Sequence, residues 1–101
     1  MNVSIAMAVY NGEKYIREQI DSILVQLGAD DELIVSTDKS TDNTNTILAD
    51  IASNDSRVKV YSNPYKPGVV KNFQNAVEHC TGDIIFFSDQ DDVWMENKVA
   101  L

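Results

Sequence analysis

The sequence alternates between strand-like and helix-like hydrophobic patterns, and this alternation constrains the fold more than any other feature. Residues 2–9 place apolar side chains two apart, as a strand does, and their other face is also apolar or small. Segments 32–36, 58–61 and 83–88 have the apolar residues of three more short strands. Helical stripes separate them, with apolar residues three or four apart: Ile16, Ile20, Ile23, Leu24 and Leu27, then Ile47, Leu48 and Ile51, then Val69, Phe73, Ala76, Val77 and Cys80.

Strands that alternate with helices across short loops predict an α/β fold with a parallel sheet of about four strands. Right-handed crossovers then place helices on both faces of that sheet. We expect 83–88 to be the most buried strand because it is the most apolar. Asn11 is expected to cap the first helix, and Gly28 to end it. A further helical pattern begins at 96–101, so we interpret residues 1–101 as one incomplete domain.

Charge and cysteine content exclude several classes of partner. Eight basic and sixteen acidic residues give a net charge of −8, which argues against nucleic acid or an anionic membrane surface as a direct partner. Cys80 is the only cysteine, so it forms no internal disulfide, and a reducing, cytoplasmic compartment is expected. No apolar run approaches the roughly 20 residues of a membrane span, so this segment is not expected to insert into a membrane.

In an open parallel sheet, ligands bind beyond the carboxyl ends of the strands. Polar residues gather after three of the predicted strands, in three separate parts of the sequence. They are Tyr10, Asn11 and Gly12 after the first strand, 37–42 after the second, and Asp89, Gln90, Asp91, Asp92 and Trp94 after the fourth. This convergence predicts a binding site at that end of the sheet.

Two of these carboxylates have the spacing of a metal site. Asp89 and Asp91 are two apart, so an extended segment presents both to one side. Adjacent carboxylates repel unless one is protonated or a cation lies between them. Mg²⁺ or Mn²⁺ would fill its other positions with water and phosphate oxygens, and would stabilise a departing diphosphate. The alternative is a solvated turn ahead of the next helix, which the position after a buried strand disfavours.

Other residues at this end allow two interpretations each. Asp38 either accepts hydrogen bonds from a nucleoside or forms an Asx-turn. Tyr10 either stacks on a base or packs partly into the core. Helix capping is favoured over ligand contact for Ser40, Thr41 and Asp42, and core packing for Trp94. We assign no specific role to Lys66, Lys71 or His79, and we expect Cys80 to be packed.

Several α/β and metal-binding classes lack their signatures here. The turn Tyr10–Gly12 does not have the G-x-G-x-x-G of a dinucleotide-binding domain, and no P-loop is present. A calcium loop that starts at Asp89 would need glycine at its sixth position and glutamate at its twelfth, where this sequence has Trp94 and Ala100. A response-regulator receiver would need an acidic pair after the first strand, which this sequence lacks.

Four ordered segments together resemble the inverting family 2 glycosyltransferases of the GT-A fold, in a rhamnosyltransferase-like bacterial form. The segments are 3–12 (VSIAMAVYNG), 38–44 (DKSTDNT), a loop and helix start marked by Asn63, Gly68, Asn72 and Phe73, and 87–94 (FSDQDDVW). The resemblance covers essentially the whole chain. It implies a nucleotide-sugar donor, UDP- or dTDP-linked, and a saccharide or lipid-linked saccharide acceptor in bacterial surface polysaccharide synthesis.

The resemblance also implies roles for particular residues. Those expected to bind the nucleotide sugar are Ala8, Tyr10, Asn11, Asp38, Asn72, Asp89 and Gln90, with Asp89 and Asp91 at the metal. The family's catalytic base lies further along the chain, so it is expected beyond Leu101, and this segment is expected to bind donor without transferring sugar. The parent protein is expected in the cytoplasm, with any contact with the inner face of the membrane made by other parts of that chain.

Two residues depart from the family pattern. Thr37 stands where a second aspartate is usual, and Lys39 where glycine is usual, so nucleoside preference and affinity are open. A nucleotide- or metal-binding module without catalysis is the alternative function, and a purely structural domain is a third. An uncovered sheet edge would also allow the domain to pair with itself as a homo-oligomer.

Overall fold

The computed structural model describes residues 2–39 and 42–89, and for Asp89 the backbone alone. Within these ranges strands and helices alternate, beginning with a strand. The strands are β1 (Val3–Val9), β2 (Glu32–Thr37), β3 (Val58–Ser62) and β4 (Ile84–Asp89). The helices are α1 (Ile16–Leu24), α2 (Thr44–Asn54) and α3 (Val69–His79). The predicted order of elements is therefore confirmed.

The four strands form one parallel sheet in the order β3-β2-β1-β4. β1 pairs with both β2 and β4, and β2 pairs with β3 on its other side. Helices α1 and α2 pack on one face of the sheet with β1, β2 and the start of β3, while α3 packs on the other face. Helices on both faces of an α/β sheet are the arrangement that the sequence predicts.

The hydrophobic core lies mainly between the sheet and helices α1 and α2. Ile5 and Met7 of β1 are fully buried there against Ile20 and Ile23 of α1. The small residue Ala6 faces the opposite side, where α3 contributes Ala76. β1 is therefore buried on both faces, as predicted, because it is an interior strand between two helical layers.

The expectation that 83–88 is the most buried strand is wrong. β4 lies at the edge of the described sheet, with Ile84 37% exposed and Phe87 60% exposed. Burial follows position in the sheet, and the interior positions belong to β1 and β2. Strand order results from crossovers that local hydrophobicity does not encode, so an apolar edge strand resembles a buried one in sequence.

Two of the predicted helix boundaries are also wrong. The N-cap of α1 is Tyr15, and Asn11 lies earlier, in the turn after β1, with a positive φ of 48°. α1 ends at Leu24, and Gly28 belongs to a turn in which its N–H donates to Asp31 Oδ2 at 2.8 Å. Leu27 extends the apolar stripe beyond the helix because the chain remains against the core after α1 ends.

Candidate functional site

The carboxyl ends of the strands meet at one end of the sheet, which we call the carboxyl end. In the register of the sheet, Val9 of β1 pairs with Thr37 of β2, and Thr37 pairs with Ser62 of β3. On the other side of β1, Ala8 pairs with Asp89 of β4. The segments that follow the strands are thereby brought together, as an open parallel sheet requires.

A cleft of about 430 Å³ opens at the carboxyl end. Four residues of the predicted nucleotide-sugar site line it: Ala8, Tyr10, Asp38 and Asn72. Val9, Pro67, Gly68 and Val69 complete the lining. Residues from β1, the loop after β2 and the start of α3 therefore form one concave surface, and sequence reasoning identified half of its residues.

Tyr10 and Asn11 are neighbours in the sequence, but of the two only Tyr10 lines the cleft. The Tyr10 side chain is 51% exposed and lines the cleft, so the interpretation as a partly buried core tyrosine does not hold. Asn11 does not line the cleft and instead adopts the left-handed conformation in the turn, which asparagine tolerates well. That turn is fixed to the second helix, since Gly12 N–H donates to Thr44 Oγ1 at 2.8 Å.

Asp38 is buried at the cleft and holds the loop that follows β3. Its Oδ1 accepts a hydrogen bond from Asn63 Nδ2 at 2.6 Å, and its Oδ2 accepts one from the Gly68 N–H at 3.1 Å. The carboxylate therefore joins the end of β2 to both ends of the 63–68 loop. This is a third role beside the two weighed from the sequence, because these contacts shape the wall of the cleft.

Asn72 lies at the base of the cleft with its amide directed into the protein. Its Nδ2 donates to the Val9 carbonyl at 3.2 Å, and its Oδ1 accepts from Ser36 Oγ at 2.6 Å. The same Val9 carbonyl accepts the N–H of Asp38 at 3.1 Å. Two lining residues, Asn72 and Asp38, are thus held by one backbone oxygen.

The predicted metal ligands can be placed only by the backbone of Asp89. This residue ends β4 and pairs with Ala8, which lines the cleft, so the backbone of Asp89 lies beside the cleft. Gln90 and Asp91 lie outside the described residues. Carboxylate oxygens are the donors that Mg²⁺ and Mn²⁺ prefer, so Asp89 and Asp91 fit a divalent cation by their chemistry. Elsewhere in the described ranges, no cluster of three or more His, Cys, Asp or Glu side chains is suited to a metal ion.

A second polar cluster links the loops before α1 and α2. Asp42 accepts hydrogen bonds from the N–H and the hydroxyl of Thr44, and its other oxygen accepts the Glu13 N–H at 3.3 Å. The Thr44 hydroxyl bond is the main reason that the pKa of Asp42 is lowered. The N-cap of α2 is Asn43, so Asp42 lies one residue before the predicted capping position, although its carboxylate accepts the N–H of Thr44, the first residue of the helix. Ser40, Thr41 and Trp94 lie outside the described residues.

The two departures from the family pattern also have defined positions. Thr37 is buried, with its Oγ1 at 2.9 Å from both the Asp38 carbonyl and Asn45 Oδ1. Its hydroxyl therefore stabilises the loop after β2 from within. Lys39 is exposed immediately after Asp38, so its positive charge is available near the cleft.

Lys71, His79 and Cys80, which were not assigned to the site, have partners outside the cleft lining. Lys71 contacts Gln74 and the Tyr65 ring, and His79 stacks on Tyr61 with 3.8 Å between the ring centroids. Burial raises the pKa of the Cys80 thiol to about 11, so this cysteine is protonated and packed, as predicted. None of these side chains lines the cleft.

Sequence reasoning missed the contribution of the loop after β3. Pro67, Gly68 and Val69 line the cleft, and Asn63 binds Asp38. The signal was present in the sequence, because this loop also follows the carboxyl end of a parallel strand, and such loops form the ligand site. The weak hydrophobic pattern of β3 concealed it, since β3 is an edge strand that is buried mainly at Val58.

Comparison with known proteins identifies the family. Residues 4–100 match the model of glycosyl transferase family 2. The chain belongs to this family. Apart from Val3, the match extends over all four segments that carry the resemblance in sequence.

Two bacterial relatives are similar over most of the chain. A UDP-Glc:alpha-D-GlcNAc-diphosphoundecaprenol beta-1,3-glucosyltransferase of Escherichia coli is 38% identical, over 98% of this chain and 38% of that protein. A dTDP-rhamnosyl transferase of Shigella flexneri is 39% identical, over 92% of this chain and 34% of that protein. The chain thus spans little more than a third of the length of these relatives.

A solved structure confirms the fold. The mannosyltransferase PcManGT from Pyrobaculum calidifontis, in complex with GDP-Man and Mn²⁺, superimposes with a TM-score of 0.86 at 25% identity. The superposition covers 97% of this chain and 30% of that one. The predicted GT-A fold is therefore confirmed. In the ranges that the structure covers, no helix combines the length and apolar character needed to cross a membrane.

Proposed function

We propose that residues 1–101 are the nucleotide-sugar-binding part of an inverting glycosyltransferase and that the cleft holds the nucleoside of a UDP- or dTDP-sugar. One observation carries this proposal: Ala8, Tyr10, Asp38 and Asn72, selected from separate parts of the sequence, line a single cleft at the carboxyl end of the sheet. The cleft volume of about 430 Å³ lies within the range of small-ligand pockets, and its wall is mostly apolar with a few polar groups.

The relatives support the choice of donor. One is named for UDP-glucose and the other for dTDP-rhamnose, while the structural neighbour holds a GDP-sugar. The three donors share a nucleoside diphosphate linked to a sugar and differ in the base. We propose UDP or dTDP, and Lys39 beside Asp38 is the residue expected to modify the preference for the nucleoside.

Charge explains why a metal is part of the proposal. The chain has a net charge of −8, so it would repel a diphosphate without a cation. Mg²⁺ or Mn²⁺ held by Asp89 and Asp91 would supply the positive charge that stabilises a departing diphosphate. Mn²⁺ in the structural neighbour is consistent with this requirement.

The proposal extends to the whole protein by analogy with its relatives. We propose an acceptor that is a saccharide or lipid-linked saccharide, because the Escherichia coli relative is named for a diphosphoundecaprenol-linked acceptor. Inversion by direct displacement needs a carboxylate that deprotonates the acceptor hydroxyl, and this base is expected beyond Leu101. The reaction is expected in the cytoplasm, with surface polysaccharide as the product.

Thermal unfolding in the presence of nucleotide tests the binding step. We would measure the unfolding midpoint with UDP or dTDP, with and without Mn²⁺. A ligand at 100 times its Kd adds about 2.7 kcal/mol to the free energy of unfolding, which raises the midpoint by several degrees. We expect stabilisation only when nucleotide and metal are both present.

A pair of charge-matched variants separates the metal site from a general charge effect. Asp91→Asn removes one of the proposed ligands, whereas Asp30→Asn removes the same charge from an exposed turn before β2. We expect Asp91→Asn to abolish the nucleotide-dependent shift and Asp30→Asn to retain it. If neither nucleotide stabilises the wild type with metal present, the proposal is wrong for this chain. Stabilisation by Mn²⁺ alone would favour the alternative of a non-catalytic metal-binding module.

A further inference from the structure

A line of three buried polar side chains lies directly under the cleft. Ser36 is 0% exposed, and Asn72 and Asn75 are each 2% exposed. They lie between α3 and the sheet, a layer that is otherwise packed with apolar side chains such as Ala6, Ile34 and Ala76. Polar groups are costly in such a layer unless they bind one another.

Hydrogen bonds run through this line in one direction. Asn75 Nδ2 donates to Ser36 Oγ at 2.8 Å and lies 3.2 Å from the Ser62 carbonyl. Ser36 Oγ uses its single proton to donate to Asn72 Oδ1 at 2.6 Å. Asn72 Nδ2 then donates to the Val9 carbonyl at 3.2 Å. Ser36 Oγ accepts the proton that Asn75 donates, so the single proton of its own hydroxyl is left to donate to Asn72.

The line connects α3 to the ends of three strands. Ser62 ends β3, Ser36 is the penultimate residue of β2, and Val9 ends β1. These are the strand ends from which the loops around the cleft emerge. The two asparagines bind the Ser62 and Val9 carbonyls at these strand ends, and Ser36 joins the two amides to each other.

Only the last member of the line reaches the cleft. Asn72 lines it, whereas Ser36 and Asn75 do not. The Val9 carbonyl that Asn72 binds also accepts the N–H of Asp38. A rotation of the Asn72 amide would therefore disturb Asp38 as well as Asn72. The orientation of Asn72 therefore depends on Ser36, and through Ser36 on Asn75.

We propose that Ser36 and Asn75 are positioning residues for the nucleoside, acting through Asn72 and the Val9 carbonyl. This inference rests on the proposed function of the cleft. Asn72 forms the base of the cleft, and its amide is oriented from beneath by the Ser36 hydroxyl. A nucleoside then meets a surface that is already in place, so binding requires no ordering of these side chains.

A second buried serine provides a matched control. Ser4 of β1 is also 0% exposed, and its hydroxyl also takes part in a polar cluster, with Glu32 Oε2 at 2.6 Å and the Gly82 N–H at 2.7 Å. Ser4 lies at the opposite end of the same sheet. Ser36→Ala and Ser4→Ala therefore delete the same group from the same kind of environment, and they differ in distance from the cleft.

The test is the Kd for UDP with Mn²⁺, and for dTDP with Mn²⁺, by isothermal titration calorimetry well below each unfolding midpoint. We expect both alanine variants to lower the midpoint, and only Ser36→Ala to weaken nucleotide binding, by about tenfold. Asn75→Ala should weaken binding similarly although it does not touch the cleft. The double variant Ser36→Ala/Asn75→Ala should bind like either single variant, because the two residues act through one path.

The outcomes distinguish this inference from the proposed function. If the wild type binds neither nucleotide with metal, both fail. If the wild type binds and Ser36→Ala and Asn75→Ala bind as tightly as Ser4→Ala, the positioning role is wrong and the function stands. If Ser36→Ala does not fold, Asn75→Ala is compared with Ser4→Ala instead. Weaker nucleotide binding by Asn75→Ala than by Ser4→Ala supports the positioning role, and equal binding overturns it.

Discussion

The two ends of the sheet use similar polar side chains for opposite purposes. At the amino end, where the strands begin, Glu32 accepts hydrogen bonds from the Ser4 hydroxyl at 2.6 Å and the Thr81 N–H at 2.7 Å, and Lys59 lies 3.2 Å from its other oxygen. At the carboxyl end, Asp38 accepts hydrogen bonds from Asn63 and the Gly68 N–H, but it holds a loop beside an open cleft of about 430 Å³.

The difference shows what a buried carboxylate can do besides stabilise a fold. The Glu32 cluster closes the amino end, and Gly82 packs so tightly there that a Cβ would lie 2.7 Å from Ser4 Oγ. The Asp38 contacts hold the 63–68 loop beside the cleft, and a Cβ at Gly68 would meet nothing within 4 Å. If the proposed function holds, one end serves stability and the other binding, and variants at the two ends should separate the two properties.

The largest loss of stability is expected at the amino end. Glu32→Ala removes the acceptor of the Ser4 hydroxyl, which is fully buried, and of the Thr81 N–H, whose bond to Glu32 is part-buried. Unsatisfied buried groups and the loss of a charge-assisted bond together cost about 3 kcal/mol. Urea denaturation should show this as a lower midpoint with an unchanged slope.

A binding measurement on the same variant tests the division between the two ends. Nucleotide affinity at a temperature where Glu32→Ala is folded should match that of the wild type, because Glu32 does not line the cleft. A Kd that rises as stability falls would show that the two ends are coupled, and the comparison would then fail.

Two glycine variants sharpen the comparison. Gly82→Ala forces a Cβ to within 2.8 Å of the Ser4 backbone nitrogen, which costs about 2 kcal/mol because backbone cannot move aside easily. Gly68→Ala meets no neighbour, but its φ of 147° is strained for any residue with a Cβ, which costs about 1 kcal/mol. Thermal or urea unfolding measures both.

Of the two glycine variants, Gly68→Ala should lose less stability but should have the larger effect on nucleotide binding. Gly68 lines the cleft and donates its N–H to Asp38, so Gly68→Ala should weaken nucleotide binding while Gly82→Ala should not. Equal affinities for the two variants would contradict the assignment of binding to the carboxyl end.

Acid sensitivity is expected to arise mainly at the amino end. Burial by itself would raise the pKa of Glu32, but hydrogen bonds from Ser4, Thr81 and Lys59 outweigh it and lower that pKa below its usual 4.5. The unfolded chain therefore binds a proton more readily than the folded one. The stabilisation by Glu32 is present above pH 4.5 and is lost as the pH falls through the lowered value.

The corresponding amide variants measure this contribution. Glu32→Gln cannot titrate, so its free energy of unfolding should fall less steeply than that of the wild type below pH 4.5. Asp42→Asn, near the carboxyl end, should flatten the curve less, because its carboxylate is less buried than that of Glu32. If the free energy of unfolding of Glu32→Gln falls with pH as steeply as that of the wild type, the acid sensitivity arises from other residues.

Local rules predicted the elements and two residues of the cleft, Tyr10 and Asp38, and the family resemblance added Ala8 and Asn72. Hydrophobic periodicity reports which residues face the core, as at Ile20, and the carboxyl ends of parallel strands identify the residues that meet, as at Tyr10 and Asp38. Strand order and the partners of buried polar groups depend on contacts between distant segments. The edge position of β4 and the acceptor role of Asp38 toward Gly68 were therefore not predictable from local sequence.

Asn72 illustrates the limit most clearly. The resemblance to the family identified it as a binding residue, and the structure places it in the cleft. Its amide, however, is committed to Ser36 and Val9, which are 36 and 63 residues away in the chain. A motif indicates that a residue matters, whereas only the fold shows which of its atoms are engaged.

The smallest effect on stability is expected for Tyr10, and it is the most informative about function. The Tyr10 side chain is half exposed at the cleft, so Tyr10→Ala should lower the free energy of unfolding by less than about 1 kcal/mol. Stacking of a base on an aromatic ring contributes about 1–3 kcal/mol, so the same variant should weaken UDP binding at least fivefold. Tyr10→Phe retains the ring and should bind almost as the wild type does. If Tyr10→Ala binds normally while Gly68→Ala does not, the base lies against the 63–68 loop instead of Tyr10.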